Sequence, residues 1–156
     1  LVNFDDPKSI DFELFYQHLK SLMNGESVNT PTYSYKTHLR KNKTKRMGKN
    51  DVLIIDGLFI LLKKKIRDFF DLTIFLNVDE STRLKRRIKR DVFERNRTEN
   101  QIRERFNKMI KPMHDKFIQP SKTHADIIID NQVNYQKIIK KIEYIFNEII
   151  RKNKEF

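Results

Sequence analysis

The chain has 156 residues, with 33 Lys and Arg against 21 Asp and Glu, a formal net charge of +12 and a pI near 9.9. That length is one domain's worth of polypeptide or part of one, and no apolar run approaches the roughly 18 residues of a membrane-spanning helix. The absence of cysteine excludes disulfides and thiolate metal sites and fits a reducing cytoplasm, while the four histidines, His18, His38, His114 and His124, lack zinc-ligand spacing.

Taken in chain order, the pattern alternates between helix and strand signals. Asp11 can cap a helix over residues 12–23, with Phe15, Leu19 and Leu22 inward and Gly25 beyond its end. Residues 32–39 and 44–47 flank Lys41-Asn42-Lys43, which predicts a β-hairpin turning at that tripeptide. Residues 52–55, 72–76 and 126–129 are apolar runs of the kind that form buried parallel strands. Residues 58–70 are long enough for a short amphipathic crossover helix, and Asp79 is placed to cap the helix that follows the second strand. A further helix runs from Gln101 toward Ile110 and is expected to stop before Pro112. The last covers residues 135–152, with Ile138, Ile142, Ile145 and Ile149 on one face. Strand and helix in alternation argue for an α/β layered sheet, and without repeats or a Pro/Gly/Ser linker the chain reads as one continuous unit.

The richest stretch is 83–97, RLKRRIKRDVFERNR. On a helix Arg83, Arg86, Arg87 and Arg90 stand at i, i+3, i+4 and i+7, one face, with Leu84 and Ile88 off that stripe. Arg95 and Arg97 follow at the helix end, and Thr98 to Gln101 reads as a capping box opening the next helix. Guanidinium is the group of choice for gripping phosphate, because it stays charged and donates through a planar fork. Such a helix end and loop could close over a polyphosphate as a lid; taken alone, the same run could also be a solvated basic face. A nucleic-acid partner is not expected. Helix-turn-helix, zinc-finger and RNP signatures are missing, and the remaining basic residues are spread along the chain.

Three other places can carry chemistry. Asp5 sits in a turn at a helix entrance, where a carboxylate can accept bonds from two adjacent hydroxyls. Tyr33, Tyr35 and His38 alternate along the hairpin, where rings can stack on a base and an imidazole can bond its edge. Asp56 ends a predicted strand before Gly57, where ligands of α/β sheets usually bind and a carboxylate can meet Mg²⁺ through water.

These features join a longer series: Asn3-Phe4-Asp5-Asp6-Pro7, Pro31-Thr32-Tyr33-Ser34-Tyr35-Lys36-Thr37-His38, Asp51 to Gly57, the arginine run, Lys111-Pro112-Met113, Pro120-Ser121-Lys122 and Ala125-Asp126 leading into isoleucines. In order and spacing, from about Val2 to Asp130, the chain resembles the phosphoribulokinase/uridine kinase family of P-loop kinases, and within it the uridine/cytidine kinases. Their forms are NFDHP, PxYxFxxHxR, DVVxxEG, RRxxRDxxERGR, (K/R)PMxxxF, PSK and ADVII. The resemblance implies a five-stranded parallel P-loop sheet flanked by helices, with an acceptor-binding hairpin at about 30–48 and a lid at about 83–98. It implies phosphorylation of uridine or cytidine to UMP or CMP, with ATP or GTP and Mg²⁺, in cytoplasmic pyrimidine salvage, by an enzyme whose relatives assemble as homotetramers. Carried over residue by residue, Asp5 holds the ribose, while Phe4, Tyr33, Tyr35 and His38 form the base pocket. Arg87 and Arg97 lie near the nucleoside, Arg90 and Arg95 face phosphate, Arg87, Arg90 and Arg95 together steady the transferred phosphoryl as the catalytic arginines, and Asp56 meets the metal through water.

There are departures. Asp6 replaces histidine, Tyr35 replaces phenylalanine, Asp56 replaces glutamate, Asn96 replaces glycine, and Arg105 stands where an acceptor-binding glutamine is expected. Only 3 glycines occur, none in GxxxxGK[ST], and the family's catalytic aspartate lies ahead of NFDHP. The expectation is a single partial domain, an N-terminally truncated kinase without its phosphate-loop strand, with three of the sheet strands left, folding poorly alone and inactive alone. The alternatives are a non-catalytic nucleoside-binding protein, or another kinase of the family such as a phosphoribulokinase or pantothenate kinase. The latter should lack the PxYxYxxH hairpin present here.

Overall fold

In a computed structural model of the chain, residues 3–34, 37–48, 50–130 and 135–154 are described. The chain divides into two compact units, one of Pro7–Phe69 and one of Leu1–Asp6 with Phe70–Phe156.

The Pro7–Phe69 unit starts with a 3-10 turn, Pro7–Ser9, and helix α1, Phe12–Met23. Asp11 caps α1 as expected, its side chain accepting from the Leu14 N–H at 3.1 Å, and Leu19 is buried. Gly25, at φ +79°, then turns the chain as few other residues would. Strands β1, Val28–Ser34, and β2, Leu39–Met47, pair antiparallel. The hairpin does not turn at Lys41-Asn42-Lys43, which lie within β2; the chain reverses between Ser34 and Leu39 instead. The polar triplet coincides with a break in register, since Pro31 faces Thr44 while Tyr33 faces Arg40. Pro31 has no N–H to give the ladder, so pairing slips there and the extra residues bulge.

Two expectations for this unit are corrected. Residues 52–55 form no strand, and Val52, Leu53 and Ile54 are exposed, Ile54 at 88%. An apolar run becomes a buried strand only where ladder partners stand beside it, and among the described residues these four have none. The helix expected over 58–70 shrinks to α2, Lys64–Arg67. Residues 58–62 form turns instead, with Phe59 and Leu61 buried two apart, a spacing a helix cannot turn to one side. Lys65 ties α2 to α1, lying 2.6 Å from Glu13 and 4.6 Å from the Tyr16 ring centroid.

In the other unit β3, Ile74–Asn77, pairs parallel with β4, Ile127–Asp130, so two of the three anticipated parallel strands are present. A clasp holds their starts together. Asp126 Oδ2 accepts from the Thr73 N–H at 2.7 Å and its hydroxyl at 2.6 Å, and the Thr73 hydroxyl oxygen accepts from the Asp126 N–H at 3.0 Å. After β3, Asp79 caps α3, Glu80–Arg95, by accepting from the Thr82 N–H at 2.8 Å. Helix α4, Glu99–Arg105, opens on the anticipated capping box between Thr98 and Gln101.

This helix does not end before Pro112. It continues as a π turn Phe106–Ile110, a short α5 Lys111–Met113, a second π turn His114–Ile118, α6 Gln119–Ser121 and a 3-10 turn Lys122–His124. The Lys111 N–H bonds Phe106 O and the Gln119 N–H bonds His114 O, so each π turn resets the hydrogen-bond register just ahead of a proline. Pro112 and Pro120 thus stand in a first turn, where a missing N–H costs least. The buried residues suggest why the turns are wide. Ile102, Phe106, Ile110 and His114 recur every fourth residue, a spacing that drifts about 40° per step on an α-helix of 3.6 residues per turn. Wider turns keep that stripe facing the core. Finally, α7 runs Tyr135–Lys154, with Ile138, Ile142, Ile145 and Ile149 half-buried.

The stripe sets a test against an exposed aromatic of similar size. Phe106 is 2% exposed and Phe93 is 89% exposed. Phe106→Ala should lower unfolding free energy by ~3–5 kcal/mol, and Phe93→Ala should change it by no more than ~0.5 kcal/mol. Urea titrations followed by far-UV circular dichroism would read both; equal losses would refute the assignment of the core.

Candidate functional site

The arginine stretch folds as helix and turn around one carboxylate. Asp91, on α3, is 0% exposed. Arg90 grips its Oδ1 from both Nε and Nη2 at 2.7 Å, and Arg95 Nη1 lies 3.5 Å from the same oxygen. Arg87 Nε and Arg97 Nη1 stand 3.6 and 3.7 Å from Oδ2. That oxygen has no hydrogen-bond partner. The local chain path makes this gathering possible. Arg87 and Arg95 are one turn before and after Asp91, and Asn96 leaves the helix left-handed at φ 50°, ψ 38°. Its N–H and that of Arg97 both return to the Asp91 carbonyl, the latter at 3.3 Å, which folds Arg97 back over the helix end. Asparagine in place of glycine is tolerated here because it enters the left-handed region more easily than most residues.

Burial pushes the Asp91 carboxyl up, but the Arg90 hydrogen bond and the charges of Arg90, Arg95 and Arg87 outweigh it and leave the group below its ordinary value. Arg87 is shifted down chiefly by its own burial, against the pull of Asp5 and Asp91. Asp5 reaches Arg87 at 3.8 Å, and the two side chains are 15% and 20% exposed. Asn3 shapes that end of the chain, its Oδ1 accepting the Asp5 N–H at 3.1 Å and its carbonyl the Asp6 N–H at 3.2 Å. Phe4 beside them is exposed. Four guanidiniums thus face two carboxylates, and the excess positive charge can bind a polyanion.

In the Pro7–Phe69 unit, Tyr33 and His38 come together at the hairpin turn, with the Tyr33 hydroxyl 3.5 Å from His38 Nδ1. His38 takes φ 57° and its N–H bonds Ser34 O at 2.8 Å. Both side chains are exposed. Tyr35 lies outside the described residues. Asp56 is exposed and lines a cavity of about 210 Å³ with Ile10, Phe12, Phe15 and Gly57 among others.

Sequence reasoning passed over Asp91 and did not foresee the buried groups of Arg83, Arg105 and His114. Asp91 was hidden among arginines, although its spacing of four from Arg87 and from Arg95 was a readable signal. The Nε atoms of Arg83 and Arg105 are buried without a partner. His114 is buried beside Asp115 at 3.2 Å; burial first, then Arg83, pushes its pKa down against Asp115 and Glu80. Among the described residues, no group of three or more His, Cys, Asp or Glu could hold a metal, and no helix is long and apolar enough to cross a membrane.

Comparisons with known proteins identify the family. Residues 1–138 match the model of the phosphoribulokinase/uridine kinase family. A uridine kinase of Streptococcus uberis is 40% identical over 153 residues, 96% of this chain and 73% of the relative. One of Clostridium novyi is 37% identical over 150 residues, 94% and 72% of the two chains, and one of Streptococcus thermophilus 37% over 153 residues, 98% and 72%.

The depressed Asp91 carboxyl has a pH signature. A carboxylate whose folded pKa lies below its unfolded value adds stability that is present above the unfolded pKa and disappears as pH falls through the folded one. The difference in unfolding free energy between the wild type and Asp91→Asn should therefore be full at pH 7 and shrink below about pH 4, where free aspartate protonates. Denaturant titrations at pH 7 and pH 3 would show it, and a difference independent of pH would exclude Asp91 as the source.

Proposed function

The chain belongs to the phosphoribulokinase/uridine kinase family, and we propose that it serves the phosphorylation of uridine or cytidine to the 5′-monophosphate, with ATP or GTP as donor. The observation that carries this reading is the ring of Arg87, Arg90, Arg95 and Arg97 about the buried Asp91, with Asp5 against Arg87. Phosphoryl transfer asks a protein for positioning and charge neutralisation rather than covalent chemistry. Arg87, Arg90 and Arg95 would steady the transferring phosphoryl, with Arg87 and Arg97 toward the nucleoside. Asp5 would accept from the ribose hydroxyls, while Phe4, Tyr33, Tyr35 and His38 would stack on and read the base.

A Mg²⁺ ion would supply charge neutralisation to the donor phosphates. Asp56, an exposed carboxylate beside a cavity, fits a contact to such an ion through water and nothing closer. The same reading makes the protein a cytoplasmic enzyme of pyrimidine salvage, a homotetramer when intact; these rest on the resemblance alone.

Residues 1–156 contain no GxxxxGK[ST]. Purified alone, they should therefore bind uridine without turning it over, and joined to a family phosphate-loop segment they should form UMP. Mg²⁺-dependent UMP formation by residues 1–156 alone would overturn the first half, and no activity after joining would overturn the kinase reading.

In the joined enzyme, Arg90→Lys or Arg95→Lys should lower kcat at least about tenfold while changing the uridine KM far less, because lysine keeps charge but loses the fork. An unchanged kcat in both would return the segment to a solvated basic face. Asp5→Ala should cut kcat/KM for uridine about tenfold or more, since a single hydrogen bond to a charged group contributes roughly 1.5–3 kcal/mol. The loss should shrink for a dideoxynucleoside. Equal losses on both substrates would remove Asp5 from the ribose site.

A further inference from the structure

We propose that Asp91 is a positioning residue: an internal counter-ion that assembles the four arginines before phosphate arrives and gives up part of that role to the bound polyphosphate. The inference rests on the reading of these arginines as phosphate ligands.

The geometry separates two kinds of contact on one carboxylate. Oδ1 accepts from Arg90 Nε at 2.7 Å and has Arg90 Nη2 at the same distance, so Arg90 is anchored. Oδ2 has no hydrogen bond, and Arg87 and Arg97 hold off at 3.6 and 3.7 Å. Those distances keep charge attraction but leave N–H donors unspent. Arg95, at 3.5 Å from Oδ1, is likewise near without a hydrogen bond. One arginine is therefore locked, while three are brought near by the chain path and held by charge attraction without a hydrogen bond to Asp91, their donors open to another acceptor.

The backbone of the same residue closes the device. The Asp91 carbonyl takes the N–H groups of Asn96 and Arg97, which brings the turn, and Arg97 with it, back over the side chain. A residue kept only for packing would be apolar at a position with 0% exposure, because a well-packed hydrophobe usually serves stability better than a buried ion pair. Guanidiniums this close repel one another, so without a central anion they would splay. With Asp91 and Asp5 present the group still carries more positive than negative charge, which suits an oligophosphate rather than a single carboxylate.

Inorganic tripolyphosphate is the probe, added to the purified chain and followed by thermal unfolding. In the wild type, saturating tripolyphosphate should raise Tm modestly. In Asp91→Asn, which keeps shape and removes the charge, Tm without anion should fall, and tripolyphosphate should raise it at least twice as far as in the wild type, because the ligand replaces the missing counter-ion. The double variant Asp91→Asn/Arg97→Gln, with one cation fewer, should regain part of the anion-free Tm. In the enzyme joined to a phosphate loop, Asp91→Asn should lose at least tenfold in kcat while the ATP KM moves less than threefold. Equal tripolyphosphate shifts in the wild type and Asp91→Asn, or a double variant no more stable than the single one, would overturn the inference. If Asp91→Asn does not fold, failure of tripolyphosphate and of Arg97→Gln to rescue it would overturn the inference as well. Should the kinase reading fail instead, the joined wild type would make no UMP, while the tripolyphosphate difference between the wild type and Asp91→Asn would persist.

Discussion

A carboxylate with no access to water needs more than one cation to be tolerated. Moving an ion out of water costs several kcal/mol even after the protein relaxes, and one partner seldom repays it. Asp91 answers this with four guanidiniums, each of which also gives up some hydration to be there. The arrangement is mutual: the arginines hold a buried anion, and the anion holds like charges close together. Removing any member exposes the others to an uncompensated field, so the cluster tends to exist whole or not at all. Its spacing depends on a left-handed Asn96, without which Arg97 would leave the helix end in another direction.

The surrounding elements give the cluster a fixed frame. Asp79 starts α3 at a defined residue, and the Thr98–Gln101 capping box starts α4 after the three residues that follow α3. Between these two caps the helix end and the turn have little freedom, which suits a site whose partners stand at 3.5–3.7 Å rather than in hydrogen-bond contact. The buried four-residue stripe of Ile102, Phe106, Ile110 and His114 then keeps one side of the continuing helix facing the core, at the expense of two π turns. The Thr73–Asp126 clasp does the same for the strand pair that precedes α3 and precedes α7.

What could be read from the sequence was local chemistry that several signals agreed on. Helix α1 runs over residues 12–23 as expected because an aspartate cap, an amphipathic face and a terminal glycine point the same way. The starts of α3 and α4 were legible for the same reason. The misreadings lie where a single local signal competed with pairing. Lys41-Asn42-Lys43 has turn-like composition, yet the missing N–H of Pro31 decides where the ladder slips, and the reversal falls near His38. Residues 52–55 have strand composition, but composition cannot supply a neighbour. Pro112 is a stop signal only if the helix ahead of it is an α-helix. At the site, the arginines and Asp5 were legible as a motif, while their meeting at 3.8 Å was not, since it spans more than 80 positions of sequence.

The charge of the chain also looks different once burial is known. A net +12 attracts any polyanion and so discriminates poorly between partners. Some of the cations are matched in exposed pairs one helical turn apart, Lys64 with Asp68, Arg103 with Glu99 and Lys108 with Glu104, which add nothing to that net charge. Such pairs are worth little and are screened by salt. The arginines about Asp91 differ in kind. They are partly desolvated, oriented by a turn with two backbone bonds, and left with donors that Asp91 does not use. Water weakens the first set more than the second, whose shared carboxylate is fully buried. What sets these cations apart is the shared buried carboxylate and the turn that orients them, and the number of basic residues along the chain says little about it.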